Sequence, residues 1–369
     1  MPRFLEASTA ATTHVEFVAS VPLDLLNAMY FTHLAGQIEG VEDWPAEVRQ
    51  DMRPALRAEL DYLFTYPKGE PGVMGAINDS LFAHREAWTD LEALLYYVRE
   101  MPAGVGEPPR RPGIQALALY AIRWPVFTPE VEVDLAVPPR DALAKVVADA
   151  GLDVDAVLAV YDRPEELRQR ILALIQRFYE EHYRHDLPRR FPCLERSVAA
   201  HRNQPVGDVN DLIRSLTHRP ISCLEEEPEA YTDHVFAPSL DMGPYVSCAD
   251  TPPIHGLYYP CEAQFMGAAP EEGEETRRLA RIYKALSDEQ RLRILRLLRD
   301  GELYAQEIVE RTGLHQSVIS RHLTFMHAVG LVRSRRQNNM KFFSLNPAMQ
   351  DELGKTLDLF RAPARTQGR

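Results

Sequence analysis

Apolar residues recur at three- and four-residue steps along much of the first 200 positions, the spacing of helices that bury one face. Pro22 opens one such stretch, with Leu26, Met29, Tyr30 and His33 on a face. Val48, Met52, Leu56, Leu60 and Leu63 form the next, behind Pro45 at a position that suits a first helical turn. Others run near Trp88 to Val98, Ile114 to Ile122 and Ala142 to Ala150, and the clearest from Pro164 to Tyr183, where Leu167, Ile171, Leu174, Ile175 and Phe178 align. Ahead of them, Val15, Phe17 and Val18 around Glu16 predict a short strand, while proline clusters at 102–112 and 137–140 predict loops. Between Tyr231 and Ala263 the spacing shifts to β-prone pieces (234–236, 245–247 and 256–259) parted by Pro and Gly, which predicts a small sheet or a set of hairpins.

Residues 267–275 are small, acidic and aperiodic, the texture of a linker. Helical spacing then resumes. Leu279, Ile282, Tyr283 and Leu286 share a face, and Ser287 offers an N-cap before a helix through Leu292, Ile294, Leu295 and Leu298 that Gly301 stops. A short helix from Ala305 to Arg311, a turn at Thr312 to Leu314 and a helix through Val318, Ile319, Leu323 and Met326 follow, the order of a helix-turn-helix. Two β-prone pieces around Gln337, Asn338 and Asn339 then predict a hairpin, since Asn tolerates the positive φ of a tight turn. The fold class is therefore mainly α with a minor β element: an α-rich domain over 1–265 with a β segment near 231–263, a linker at 266–275, and a winged helix-turn-helix over 276–362.

The charge of the chain supports that division. Its net charge of -13 is wrong for a nucleic-acid binder taken whole. From Glu271 onward, however, 18 Lys and Arg stand against 13 Asp and Glu, which leaves 23 against 41 before it. A basic module thus follows an acidic one. With the apolar positions of the second helix inward, Gln316, Ser317, Ser320, Arg321 and His322 lie outward near its N-terminal end, placed to reach base edges. Gln pairs bidentately with adenine and Arg with guanine, and small hydroxyls admit close approach. Arg333, Arg335, Arg336, Asn338 and Lys341 line the hairpin, where the cations would meet phosphates.

The strings LSDEQRLRIL at 286–295, QSVISRHL at 316–323, GLV at 330–332 and RRQNNMKFFSL at 335–345 resemble the ArsR/SmtB family of bacterial winged-helix regulators, over about a quarter of the chain. The resemblance implies a homodimer, with residues 277–286 and 347–360 at its interface, a two-fold DNA site, and effector binding that weakens DNA binding. It also implies what is missing. Metal-sensing relatives carry cysteines where this chain has Tyr304 and Gln306, or histidines in the last helix, where 347–360 has none. Asn338 and Asn339 replace the Gly and Arg common at the wing tip, which leaves Arg336 to supply a minor-groove contact.

Other chemistry has weaker claims. His182 and His185, three residues apart, would suit zinc or nickel, but a solvated C-terminal helix turn explains them better. Cys223, Cys248 and Cys261 with His234 and His255 would need to converge to form a metal or redox site, and scattered cysteines are more often small core residues. Phe236, Tyr245, Tyr258, Tyr259 and Phe265 line either an effector pocket or ordinary core, and core is preferred. No phosphate loop or hydrolase motif is present, so no catalytic residue and no cofactor is assigned. The expected protein is a cytoplasmic regulator, not an enzyme: a homodimeric repressor that binds double-stranded DNA, senses a small-molecule effector through its N-terminal domain, and has no membrane span. The alternative is a DNA-tethered module that recruits a protein partner through that domain.

Overall fold

The computed structural model describes residues 14–66, 72–104, 113–117, 140–149, 153–203, 208–217, 231–261, 265, 272–337, 340–349 and 353–354. The chain divides into two compact units. The larger comprises Met1–Gln37, Val41–Leu212 and Cys223–Cys261; the smaller comprises Ile38–Gly40, Ile213–Ser222 and Glu262–Arg369. The protein is mainly α with a minor β element.

The larger unit is built on a four-stranded sheet of order β1-β2-β4-β3, where β1 is His14–Phe17, β2 Asp233–Ser239, β3 Ser247–Thr251 and β4 Ile254–Pro260. β1 and β4 both run parallel to β2, and β3 closes an antiparallel hairpin on β4. The early strand and the late β-prone pieces, more than 200 residues apart, thus make one sheet. Parallel strands need cover on both faces. α1 (Val21–Leu34) gives cover on one face, where Asn27 donates to Ser239 and the Tyr258 hydroxyl donates to the Leu23 carbonyl. Gly256 lets the Phe82 ring lie directly on β4, at a point where a Cβ would collide with it. On the other face Phe17 stacks on Phe236 and His201, and Tyr259 meets Phe17 and His201 edge-on.

The expected helix over 45–63 is two helices, α2 (Asp43–Asp51) and α3 (Pro54–Thr65). Pro54 at the first turn of α3 forces the residue before it out of helical conformation and parts them at Met52 and Arg53. α4 (Gly72–Leu81) follows, and α5 (Leu91–Arg99) is capped by the Asp90 carboxylate, which accepts from the Ala93 amide at 2.9 Å. α6 (Arg140–Asp149) and α7 (Val154–Tyr161) share a small core of Leu143, Val147, Val157, Leu158 and Tyr161. Of the expected helix 114–122 only 114–117 lies within the described residues.

The stretch from Pro164 does not end at Tyr183. α8 (Pro164–Phe178) passes through a π-helical turn at Tyr179–Tyr183 into α9 (Arg184–His201). His182 and His185 therefore sit mid-path, which corrects the expectation of a helix end: the His182 side chain is nearly buried and faces Asp51 at 3.8 Å, and burial lowers its pKa. α9 contains Pro188 and Pro192 yet continues, because Arg190, Cys193, Leu194, Ser197, Val198 and His201 recur at helical steps on its buried face. The last helix of this stretch, α10, is Val209–Thr217.

In the smaller unit α11 (Glu272–Leu286) begins inside the expected linker. Four glutamates at 271–275 suit a helix N-terminus, where the macrodipole favours negative charge. The N-cap of α12 (Glu289–Arg299) is Asp288, not Ser287: its carboxylate accepts from the Arg291 amide at 3.0 Å, while the Ser287 hydroxyl turns back to the Lys284 carbonyl. β5 (Leu303–Tyr304), α13 (Ala305–Thr312), α14 (Gln316–Ala328), β6 (Val332–Gln337) and β7 (Met340–Leu345) complete a winged helix-turn-helix, with a sheet of order β5-β7-β6. Among the described residues no helix is long and apolar enough to cross a membrane.

Candidate nucleic-acid interface

The turn between α13 and α14 is made by backbone geometry. Thr312 caps the end of α13 through its hydroxyl on the Ile308 carbonyl, and Gly313 takes φ +70° with its amide on the Val309 carbonyl at 2.8 Å. That left-handed residue reverses the chain within a single step, which a side chain would strain. α14 then starts on His315, whose Nδ1 is reached by the Ser317 amide at 3.3 Å and the Ser317 hydroxyl at 2.8 Å. Histidine is an unusual cap, and nothing in the apolar pattern marks it.

α14 is held from behind by Ile319, Leu323, Phe325 and Met326, each at most 2% exposed, and by Ile308 of α13. Each such side chain contributes roughly 1.5–3 kcal/mol by leaving water. Gln316, Ser317, Ser320 and Arg321 all face solvent at the N-terminal half of α14, and Thr324 extends the same face by one more turn. Thr324 stands four residues beyond Ser320, so the 3.6-residue repeat alone is enough to find it. His322 does not belong to that face. It is 4% exposed, and its Nδ1 accepts from Arg291 Nε of α12 at 3.1 Å. The expectation of an outward His322 is therefore corrected: the ring turns inward because a second polar residue meets it there. Burial is the main cause that lowers the His322 pKa, which favours the neutral ring.

In the hairpin, β6 and β7 pair in a register that sets Arg333 across from Ser344, Arg335 from Phe342 and Arg336 from Lys341. Arg333 and Lys341 are exposed; Arg333 Nε donates to Asn346 at 2.8 Å, and the Lys341 ammonium lies 5.5 Å from the Phe343 ring centre. Arg335 is engaged with Glu302, its Nε 2.8 Å from Oε2, and its guanidinium lies 4.9 Å over Phe342. Asn338 lies outside the described residues.

The larger unit presents different features. Arg190 of α9 is fully buried: Nε donates to Asp24 at 2.9 Å, Nη1 to Asp241 at 3.1 Å, and Nη2 to the second Asp241 oxygen. The Tyr183 hydroxyl donates to the same Asp24 oxygen at 2.7 Å, and the guanidinium lies 4.6 Å over Trp44. Burial, with a second carboxylate close by, raises the Asp24 pKa despite that cation. His234 and His255, on adjacent parallel strands, bring their Nδ1 atoms to 3.4 Å, and burial pushes the His255 pKa down to about 3. Among the described residues no group of three or more His, Cys, Asp or Glu is placed to hold a metal ion. Cys193 and Cys261 are buried and Cys248 half-buried, and Cys223 lies outside the described residues. Phe236, Tyr258 and Tyr259 are core, at most 1% exposed. A pocket of about 700 Å³ instead opens along β1, lined by His14, Val15, Glu16, Phe17, Arg85, Arg202 and Asp233.

Residues 288–334 match the family described as bacterial regulatory protein, arsR family. The transcriptional activator HlyU of Vibrio cholerae is 38% identical over 65 residues, which is 18% of this chain and 60% of that protein. The arsenical resistance operon repressor of Staphylococcus aureus is 36% identical over 81 residues, 22% of this chain and 78% of that protein. Among solved structures, the homodimeric winged helix-turn-helix DNA-binding domain Mb0332 of Mycobacterium bovis is 26% identical, with 26% of this chain and 87% of that chain covered and a TM-score of 0.22. All three matches cover about a quarter of the chain or less. On the matched family model and the identity shared with the Staphylococcus repressor over most of its length, the chain belongs to the arsR family of bacterial regulatory proteins.

Proposed function

We propose that this protein is a sequence-specific DNA-binding transcription regulator that works as a homodimeric repressor and senses an effector through its larger unit. The observation that carries the reading is the exposed face of α14. Gln316, Ser317, Ser320 and Arg321 offer donors and acceptors of the kind that read major-groove edges, on a helix whose opposite face is buried. Arg333 and Lys341 add cations on the adjacent hairpin. Tyr283 on α11 and Leu292 on α12 are exposed large apolar side chains, as expected of a face that a second copy covers. The Staphylococcus relative is named a repressor and the Vibrio relative an activator, so repression rests on the first.

For the larger unit, two observations favour an effector over a recruited protein. The β1 groove, open to solvent and largely polar, has about 700 Å³ of room for a small polar molecule. A recruiter needs an apolar patch, and among the described residues of this unit Tyr96 alone is an exposed large apolar side chain. Arg85 is paired with Glu16 at 2.9 Å, and Arg202 on the same lining favours an anionic group on the ligand. The test of the DNA reading is selection from a randomised duplex pool with the full-length protein, followed by affinity against salt. An enriched duplex whose affinity falls steeply with salt is expected; no enrichment, or a flat salt response, would refute it.

A further inference from the structure

Arg291 and His322 are the only buried polar or charged residues among the described residues of the smaller unit, apart from Thr217 in the separate 213–222 segment. The Arg291 guanidinium donates through Nε to His322 Nδ1 at 3.1 Å and lies 4.7 Å over the ring of Phe325, also on α14. An acceptor at Nδ1 requires the proton of the neutral ring to be on Nε2. A buried cation of this kind is a poor device for stability, because an apolar pair of similar volume would serve as well or better. What it supplies is direction: the apolar burial of Ile319, Leu323 and Met326 is non-directional, whereas a 3.1 Å hydrogen bond to one ring nitrogen has a required geometry.

His322 follows Arg321 directly and lies two residues after Ser320, both on the outward face. Successive residues on a helix are about 100° apart, so a modest rotation of α14 carries that face off its target. We propose that Arg291 and His322 are a positioning pair that sets the rotation of α14, and hence which side chains it presents to DNA. The inference rests on the DNA reading above and deepens it.

The pair also makes the presentation depend on the proton at Nδ1. Protonated His322 offers no acceptor and sets a second cation against the guanidinium. The charged groups around the ring are Asp288, the N-cap of α12, Arg291 of α12, Arg321 of α14, and Glu39 of the 38–40 segment that groups with this unit; Glu39 also accepts from Arg291 Nη2. The two carboxylates oppose loss of the proton and the two arginines favour it, while burial favours the neutral ring most.

The test uses full-length protein and a duplex that the wild type enriches from a random pool at pH 8, with a scrambled duplex as control. The readout is the dissociation constant for the scrambled duplex divided by that for the enriched one. Arg291→Met with His322→Leu replaces the pair by apolar side chains of similar size. That variant is expected to keep its unfolding midpoint within a few degrees and its salt slope unchanged, while the ratio falls at least tenfold. His322→Asn, which leaves an acceptor near the Nδ1 position, is expected to stay within about threefold of wild type. The wild-type ratio is expected to fall as the pH is lowered from 8 toward protonation of His322, and that of His322→Asn to stay level. A double variant whose ratio stays within twofold of wild type overturns the proposal. If that variant does not fold, His322→Phe, which keeps a ring but lacks the acceptor, overturns the proposal by a ratio within twofold of wild type. Failure of the wild type to enrich any duplex refutes the DNA reading itself, a separate outcome.

Discussion

Arg190 carries its charge where no solvent reaches it, and two carboxylates and two aromatic rings hold it there. Replacing it with Met leaves Asp24 and Asp241 buried without their cation, so the full-length protein is expected to lose about 3–5 kcal/mol in urea denaturation. His255 gives the second expectation at this scale. Its pKa is about 3 in the folded protein and near the ordinary 6.5 when unfolded, so between those values the unfolded chain binds more protons. Its contribution to stability is thus complete above pH 6.5 and is lost as pH falls toward 3. Each tenfold change in proton affinity is worth about 1.4 kcal/mol, so wild type should lose a few kcal/mol more than His255→Phe across that window. Equal slopes would show that the ring does not titrate as described. On the outward face of α14, Arg321→Ala is expected to weaken binding to a selected duplex by about 1–3 kcal/mol and relax the preference at one base position, measured by competition among single-base variants. These residues differ in how far the sequence showed them. Arg321 is polar on a polar face and legible from spacing; Arg190 and His322 are polar on buried faces, and only their partners on other elements explain them.

Among the elements, the turn before α14 is the most open to test. Gly313 has nothing within 4 Å of where a Cβ would stand, so Gly313→Ala costs only the left-handed backbone, about 1–2 kcal/mol of thermal stability, and Gly313→Asn less. A loss well above that would show a contact the geometry does not contain. The helix-turn-helix and its hairpin are legible because each break falls on a residue with a local reason to break: Gly301, Gly313 and Gly330 all have positive φ. The passage from α8 into α9 is not, since Pro188 and Pro192 argue locally against a helix and the buried face of α9 includes Arg190, Ser197 and His201 rather than an apolar stripe. Tertiary packing overrides propensity there. The division of 43–65 into α2 and α3 is available from Pro54, but the continuous apolar spacing across Met52 conceals it.

For the molecule as a whole, the basic C-terminal part and the acidic remainder call for a measurement that reports assembly and ligand together. Native mass spectrometry of the full-length protein is expected to show a dimer carrying an added mass, and loss of that mass in Arg202→Ala would assign the ligand to the β1 pocket. A strict monomer would remove the basis for a two-fold DNA site.

Periodicity, glycines and charge determined by themselves that a mainly helical chain carries a winged helix-turn-helix and, His322 excepted, which face of α14 is outward, because those properties depend on residues close together in the chain. The union of β1 with β2 and β4, the buried arginine of α9 and the inward turn of His322 were decided only by tertiary structure. Each depends on a partner far away in sequence, which no local pattern can specify. The carboxylates that neutralise Arg190 lie 166 positions earlier, at Asp24, and 51 positions later, at Asp241, and the guanidinium that turns His322 inward lies 31 positions before it.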